Sequence, residues 1–369
     1  MLYPNHRPSR ILLLLSLVFV GSFWTDFSGT AHAQSSDPIA LVCATDGGNG
    51  DADDPAFWLD PSDPSDARVL VTYKAAAIGQ LKVFRARDCA HVMTIDNLDY
   101  PNNVDVEYGL QIGGETIDIA VVSERFQQRF LVYELPDMTL RAAITTDLPD
   151  PMGVALYKDG NGEIFAFISS KRSKSSGTIQ RYRLHDDAGE VGATYLGRFG
   201  NYSTEVEALS IDAGAGLLYA SNEVERIDVY DANTTTLLDS FGESGFAADR
   251  EGSAVYACQA NSMVLVSDQG ADSFRVFDAA SDYGFIGSFQ AEGVNDTDGI
   301  DILMDKSVPG FPSGIFAAQT GDSHVRLFHW GDVETALGVT ECEGGAPPPP
   351  PPPPPDTLKP KPPTGLQAD

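Results

Sequence analysis

Three carboxylates stand within four residues in Asp51-Ala52-Asp53-Asp54-Pro55-Ala56-Phe57-Trp58. Acids this close repel one another unless a cation holds them, and a set of oxygen ligands suits calcium rather than zinc. Pro55 would pin the turn that aims them, although the same residues also suit an acidic surface turn. The segment is not an EF-hand loop, because Ala56 stands at the sixth position, where that loop needs glycine. Further acids follow at Glu205 and Glu207, Glu223, Asp249 and Glu251, and Asp296, Asp298 and Asp301, while bases stand at Lys74, Arg125, Arg129, Lys171 and Arg172. Acids facing bases are what a polyanion site with calcium needs. Cations bridge carboxylate to phosphate, and Lys and Arg hold phosphate directly. Ordinary solvated surface charge is the alternative for any one of these residues taken alone.

Other chemistries lack their parts. No Cys is followed by Arg six positions on, and no RHGxRxP, GxSxG or GxxxxGK[ST] string occurs. Of 6 His, His91, His185, His324 and His329 lie outside the N-terminal leader region, and none has HExxH or HxxxH spacing. Catalysis would therefore run on carboxylates, Lys, Arg and bound hard cations.

A repeat positions these groups. An aliphatic or basic residue followed by Phe or Tyr recurs at Phe84, Tyr133, Tyr182, Tyr230, Phe277 and Phe328, at intervals of 49, 49, 48, 47 and 51 residues. Each landmark ends the second of two apolar runs joined by a short polar loop, as in LVTYKAAAIGQLKVF and MVLVSDQGADSFRVF. Such a unit suits a hairpin within a blade better than a helical solenoid, whose repeats are shorter and patterned at about 3.6 residues. The fold expected is all-β, a six-bladed propeller of four-stranded antiparallel blades. Innermost strands face the central channel, so acids at equivalent blade positions converge however distant in sequence. Lys74, Arg125 and Lys171 each follow the first strand of their hairpin, which predicts a basic rim on blades one to three opposite an acidic rim on the others.

These residues resemble the β-propeller phytases, calcium-dependent enzymes that remove phosphate from inositol hexakisphosphate. That family's opening motif, DA-x-DDPA-aliphatic-W, matches Asp51 to Trp58 with Phe57 at the aliphatic place, and its NNVD-x-R-Y-G matches Asn102 to Gly109. Similarity continues through PMGVALYKDGNGEIFAF, FGNYSTEVEAL, ADREGSAVY, VSDQGADSFRVFD, DTDGIDIL and FPSGIFAAQTGD, and so covers residues 45 to 331. The resemblance implies several calcium ions held by Asp53, Asp54, Glu207, Glu223, Asp249, Glu251, Gln269 and Asp298. It implies catalytic roles for Glu223, Asp298 and Asp53 in orienting the attacking water, and phosphate contacts from Lys74, Arg125, Tyr157 and Lys171. A metal-activated water would attack phosphorus without a covalent phosphoenzyme. Glu107 stands where the family commonly has Arg, which bears on substrate preference. Two other readings are a lactonase-like metal-dependent esterase and a non-catalytic propeller that calcium only stabilises.

Bulk composition bounds the rest. With 53 acidic and 24 basic residues, the formal charge of −29 argues against nucleic acid and anionic lipid as partners. His6, Arg7 and Arg10, the apolar run ILLLLSLVFVGSFW and Ala31-His32-Ala33 read as a cleaved leader over 1–33, since the run falls short of the roughly twenty residues that span a bilayer. The mature protein is expected to be secreted, extracellular or periplasmic, as a monomer acting on calcium phytate. The propeller is expected over 34–344. A Pro-rich linker and tail follow over 345–369, where Pro347 to Pro355 form a polyproline rod and PPTGLQA resembles the first strand of a fibronectin type III-like module. Four Cys in an exported chain allow three connectivities, and the pairs expected are Cys43 with Cys89 and Cys258 with Cys342.

Overall fold

The computed structural model describes residues 37–60, 62–172, 177–258, 262–340 and 342, together with the backbone of 33–34. The expected leader, apart from the Ala33 backbone, and the expected tail over 345–369 lie outside the described residues. Runs such as Ile164–Ser170 and Met263–Asp268 are buried at every position. A strand reads this way when both faces of its sheet are covered, here by the neighbouring blades. Outermost strands such as Thr139–Thr145 and Leu237–Phe241 are largely exposed instead.

Six sheets follow in chain order. Blade one is Asp51–Trp58, Arg68–Lys74, Gly79–Arg85 and Ala90–Leu98, and blade two is Pro101–Ile112, Glu115–Glu124, Arg129–Leu135 and Thr139–Thr145. Blade three is Pro151–Lys158, Ile164–Ser170, Ile179–Asp187 and Glu190–Phe199, and blade four is Val206–Asp212, Leu217–Asn222, Ile227–Asp231 and Leu237–Phe241. Blade five is Ser253–Tyr256, Met263–Asp268, Ser273–Asp278 and Phe285–Phe289, with the short Ala33–Gln34 strand parallel at its edge. Blade six is Ile300–Leu303, Ile315–Thr320 and His324–His329, and the N-terminal strand Leu41–Ala44 supplies its fourth member. Each innermost strand packs on the next, and Ile300–Leu303 packs on Asp51–Trp58, so the ring closes. This is the six-bladed propeller that the repeat predicts.

The core is divided among the seams. Apolar clusters fill each junction between adjacent blades, and every landmark aromatic lies in the seam facing the preceding blade, as Tyr133 does against blade one and Phe277 against blade four. The sequence period is therefore the period of seam filling. After blade six the helix Trp330–Leu337 seals the blade-five side, with the buried Glu334 carboxylate accepting from Trp330 Nε1 at 3.0 Å and from the Tyr256 hydroxyl at 2.9 Å. Both disulfides pair as expected, Cys43 to Cys89 and Cys258 to Cys342. The first anchors the closing strand to blade one, and the second ties the segment after the helix to blade five. Among the described residues no helix is long and apolar enough to cross a bilayer.

A buried polar latch repeats around the ring at the end of each second strand. Thr72 donates to the Asn102 carbonyl, Ser123 to Met152 and Ser169 to Val206 at 2.6 Å. Ser267 donates to Asp298 at 3.4 Å, and Gln319 Nε2 to Ala52 at 2.9 Å. Ser221, the equivalent in blade four, has a buried hydroxyl with no partner. Ser169→Ala is expected to cost about 1–3 kcal/mol, because it removes a buried hydrogen bond to a backbone carbonyl, whereas Ser221→Ala is expected to be neutral. Denaturant unfolding of the two variants checks this, and equal costs would contradict it.

Candidate functional site

The latches bring the entrances of the innermost strands to one level. In blades one to four that strand bulges at its start, between Ala52 and Pro55, Pro101 and Val104, Pro151 and Val154, and Val206 and Leu209. A bulge re-aims the side chains it holds, and these bulges present Asp53, Asn102, Met152 and Glu207 in equivalent places. Glu251 and Asp298 precede the innermost strands of blades five and six at the same place in the repeat. Gly252 follows Glu251 because the Asp298 carbonyl of the next blade occupies the space a Cβ would need. An outer set stands at the ends of the second strands, where Lys74 is the last residue of its strand and Arg125, Lys171, Glu223 and Gln269 come directly after theirs.

These two sets meet at the channel mouth. Lys74 Nζ lies 2.6 Å from Asp53 Oδ1 and 2.7 Å from Asp298 Oδ2. Asn102 Nδ2 donates to Asp53 Oδ2 at 2.6 Å and to Glu207 Oε1 at 3.3 Å, while its own oxygen accepts from Arg125 Nη1 at 2.8 Å. Lys171 pairs with Glu205 at 2.5 Å, and Gln269 Nε2 donates to Asp298 Oδ1 at 3.1 Å. Glu207, Glu223 and Glu251, all buried, bring carboxylate oxygens within 4.8 Å of one another. Glu223 reaches this cluster because Arg250, next to Glu251, donates its backbone N–H and Nη1 to the Glu223 carbonyl at 3.0 and 3.1 Å.

Electrostatics distinguishes the members. Burial, with Glu205 and Glu207 beside it, pushes the Glu223 carboxyl up to about 10. Burial, with Glu207 and Glu223 beside it, pushes Glu251 up to about 11. Burial also disfavours an ionised Glu207, yet Lys74 and the hydrogen bonds from Glu251 and Glu223 hold it below the usual range. Burial raises Asp53 and Asp298 against the pull of Lys74. The three glutamates thus share their charge, with Glu207 ionised and its two neighbours protonated near neutrality. Glu223 Oε1 is buried without a hydrogen-bond donor. An oxygen-rich pocket with a donorless carboxylate oxygen fits a hard divalent cation.

Other expected residues are placed elsewhere. Asp54 turns across the seam to accept the Val104 N–H at 3.0 Å, and it lines an axial cavity of about 250 Å³ below the mouth. Asp105 and Asp301 line the same cavity and accept Leu156 and Phe57 N–H groups at 2.7 and 2.8 Å, so each ties one blade to another. Asp249 is half-buried at the rim, and its carbonyl accepts the Gln269 N–H at 3.2 Å. Tyr157 does not join the site. It stands six residues along the strand from Pro151, roughly 20 Å away, buried and with its hydroxyl accepting from Asn233 at 3.3 Å. The strand alternates and descends, which a motif match does not register. Glu107 likewise lies down the channel wall beside Lys158, away from the mouth. Asn102 belongs to the site although the sequence reading assigned it no role; its equivalence to Asp53 and Glu207 in the repeat was the available signal.

A family model described as Phytase matches residues 9–326 of this chain. The chain is also similar to a 3-phytase of Bacillus subtilis (strain 168), at 27% identity over 365 residues, which covers 89% of this chain and 91% of that protein.

The charge states generate a linkage test. Glu223 and Glu251 hold protons more tightly folded than unfolded, so their stabilising contribution is present below the ordinary value of 4.5 and is lost as pH rises towards 10 and 11. At pH 7 a bound divalent cation must displace those protons. Calcium titration is expected to release roughly one to two protons per molecule, measured by calorimetry in buffers of different ionisation enthalpy. Binding with zero release would contradict the protonated pair.

Proposed function

The chain belongs to the phytase family, and from that premise we propose a secreted, monomeric, calcium-dependent 3-phytase acting on myo-inositol hexakisphosphate at the channel mouth. It is a phosphoric monoester hydrolase. The observation that carries the proposal is the meeting of Glu207, Glu223 and Glu251 within 4.8 Å, in the same mouth as Lys74, Arg125 and Lys171. Asp53, Glu207, Glu223, Glu251 and Asp298 would hold the calcium ions, with Gln269 orienting Asp298 and with Asp54 and Asp249 at the margins. Calcium bound there would neutralise phosphate oxygens and lower the pKa of a nearby water.

The chain's own groups do the rest. Arg125 and Lys171 hold non-bridging phosphate oxygens, and Lys74, already between two acids, contributes its positive charge from the adjoining blade. Glu223, through Oε1, positions the attacking water, with Asp298 and Asp53 completing the arrangement. The attacking water gives up a proton to solvent as its oxygen bonds to phosphorus and the bond to the inositol oxygen breaks in line, and the inositol oxygen leaves with a proton from solvent. Secretion is supported by the leader-like sequence over 1–33 and by two disulfides. Ring closure within one chain supports a monomer.

Phosphate release from phytate is expected to stop in chelator and to return with calcium. Undiminished turnover in chelator would overturn the calcium assignment. Glu223→Gln is expected to lower kcat at saturating calcium by about a hundredfold or more, and unchanged kcat would remove Glu223 from the water-positioning role. The first pentakisphosphate product, identified by NMR, is expected to lack the 3-phosphate.

A further inference from the structure

We infer that Tyr100, stacked with Phe126, is a positioning residue that pre-aims the Arg125 guanidinium for substrate phosphate. The inference rests on the reading of Arg125 as a phosphate contact. Tyr100 ends the connection from blade one to blade two and sits at φ +65°, a left-handed conformation that costs an aromatic residue energy. Its backbone is held on both sides: its N–H donates to Ala75 at 3.0 Å, and its carbonyl accepts the Arg125 N–H at 3.1 Å. That turn places the ring under the guanidinium, with the Arg125 Cζ 4.8 Å from the ring centroid. Phe126 stacks on the same ring at 4.6 Å and an interplanar angle of 28°, although 51% of Phe126 is exposed.

An aromatic pair whose outer ring is half in water contributes little to a core. What it does is confine a flexible cation. Arg125 is fixed at two points, by the ring face and by the Nη1 bond to Asn102, while Asn102 is itself bound to Asp53 and Glu207. A guanidinium ordered in advance loses less rotamer entropy when phosphate arrives. The expected consequence falls on substrate affinity rather than on the chemical step.

Tyr100→Gly tests this, because glycine accepts the positive φ as the side chain is removed, and the thermal midpoint reports any cost of the freed backbone. With calcium saturating and thermal midpoints recorded, Tyr100→Gly and Phe126→Ala are expected to raise KM for phytate roughly three- to fivefold, with kcat within twofold. Tyr100→Phe, which keeps the ring, is expected to match the parent. Arg125→Ala is expected to raise KM further, and adding Tyr100→Gly to it should change nothing more. If Arg125→Ala raises KM while Tyr100→Gly does not, or if Tyr100→Gly has its full effect without Arg125, the positioning role is overturned. If Arg125→Ala leaves KM unchanged, the phosphate-contact reading fails, and this inference fails with it.

Discussion

A buried side-chain hydrogen bond crosses from one blade to the backbone of the next, and the site depends on its repetition. Thr72, Ser123, Ser169, Ser267 and Gln319 each reach the carbonyl where the following blade enters the channel. Apolar seam packing is non-directional and tolerates sliding. A hydrogen bond of fixed geometry does not, so these latches set the height of the innermost strands of blades one, two, three, four and six. The seam between blades four and five lacks the hydroxyl bond, since Ser221 is unpartnered, and Arg250 spans it instead through the Glu223 carbonyl. That exception lies where Glu223 and Glu251 meet, so the seam that holds these two glutamates is spanned by a cation from the protein itself.

Level entrances make the mouth electrostatically costly and chemically useful at once. Carboxylates from blades one, four, five and six share a pocket from which water is largely removed, and most respond by resisting ionisation. Lys74 and Asn102 relieve part of the repulsion by bridging acids of different blades. A lower tier of Asp54, Asp105 and Asp301 takes another route, satisfying each carboxylate with a backbone N–H of a neighbouring blade. The two tiers divide the labour: the lower one joins blades, and the upper one leaves oxygen for a ligand.

Much of this was legible in the chain. The six aromatic landmarks revealed the blades because every seam needs a large side chain at one recurring place, which keeps the spacing near constant. Lys74, Arg125, Lys171, Glu223 and Gln269 end or follow their strands at matching positions and do stand around one mouth. Tyr157 and Asp54 stand away from the mouth for a common reason. Adjacent strand residues point to opposite faces and lie about 3.3 Å apart, so membership in a motif says little about height or facing. Asn102 shows the converse, a neutral side chain with no chemical signal of its own, made central by two acids and a guanidinium.

The amino-acid sequence by itself determined the blade number and the inventory of acids, bases and cysteines, because these depend on residue type and on a period of about fifty that short-range strand formation preserves. The tertiary structure alone decided which carboxylates share a pocket, which protons they keep and which cation lies between them. Those properties depend on distances of a few ångströms between residues from different blades and on the removal of water, and no local rule along the chain encodes either.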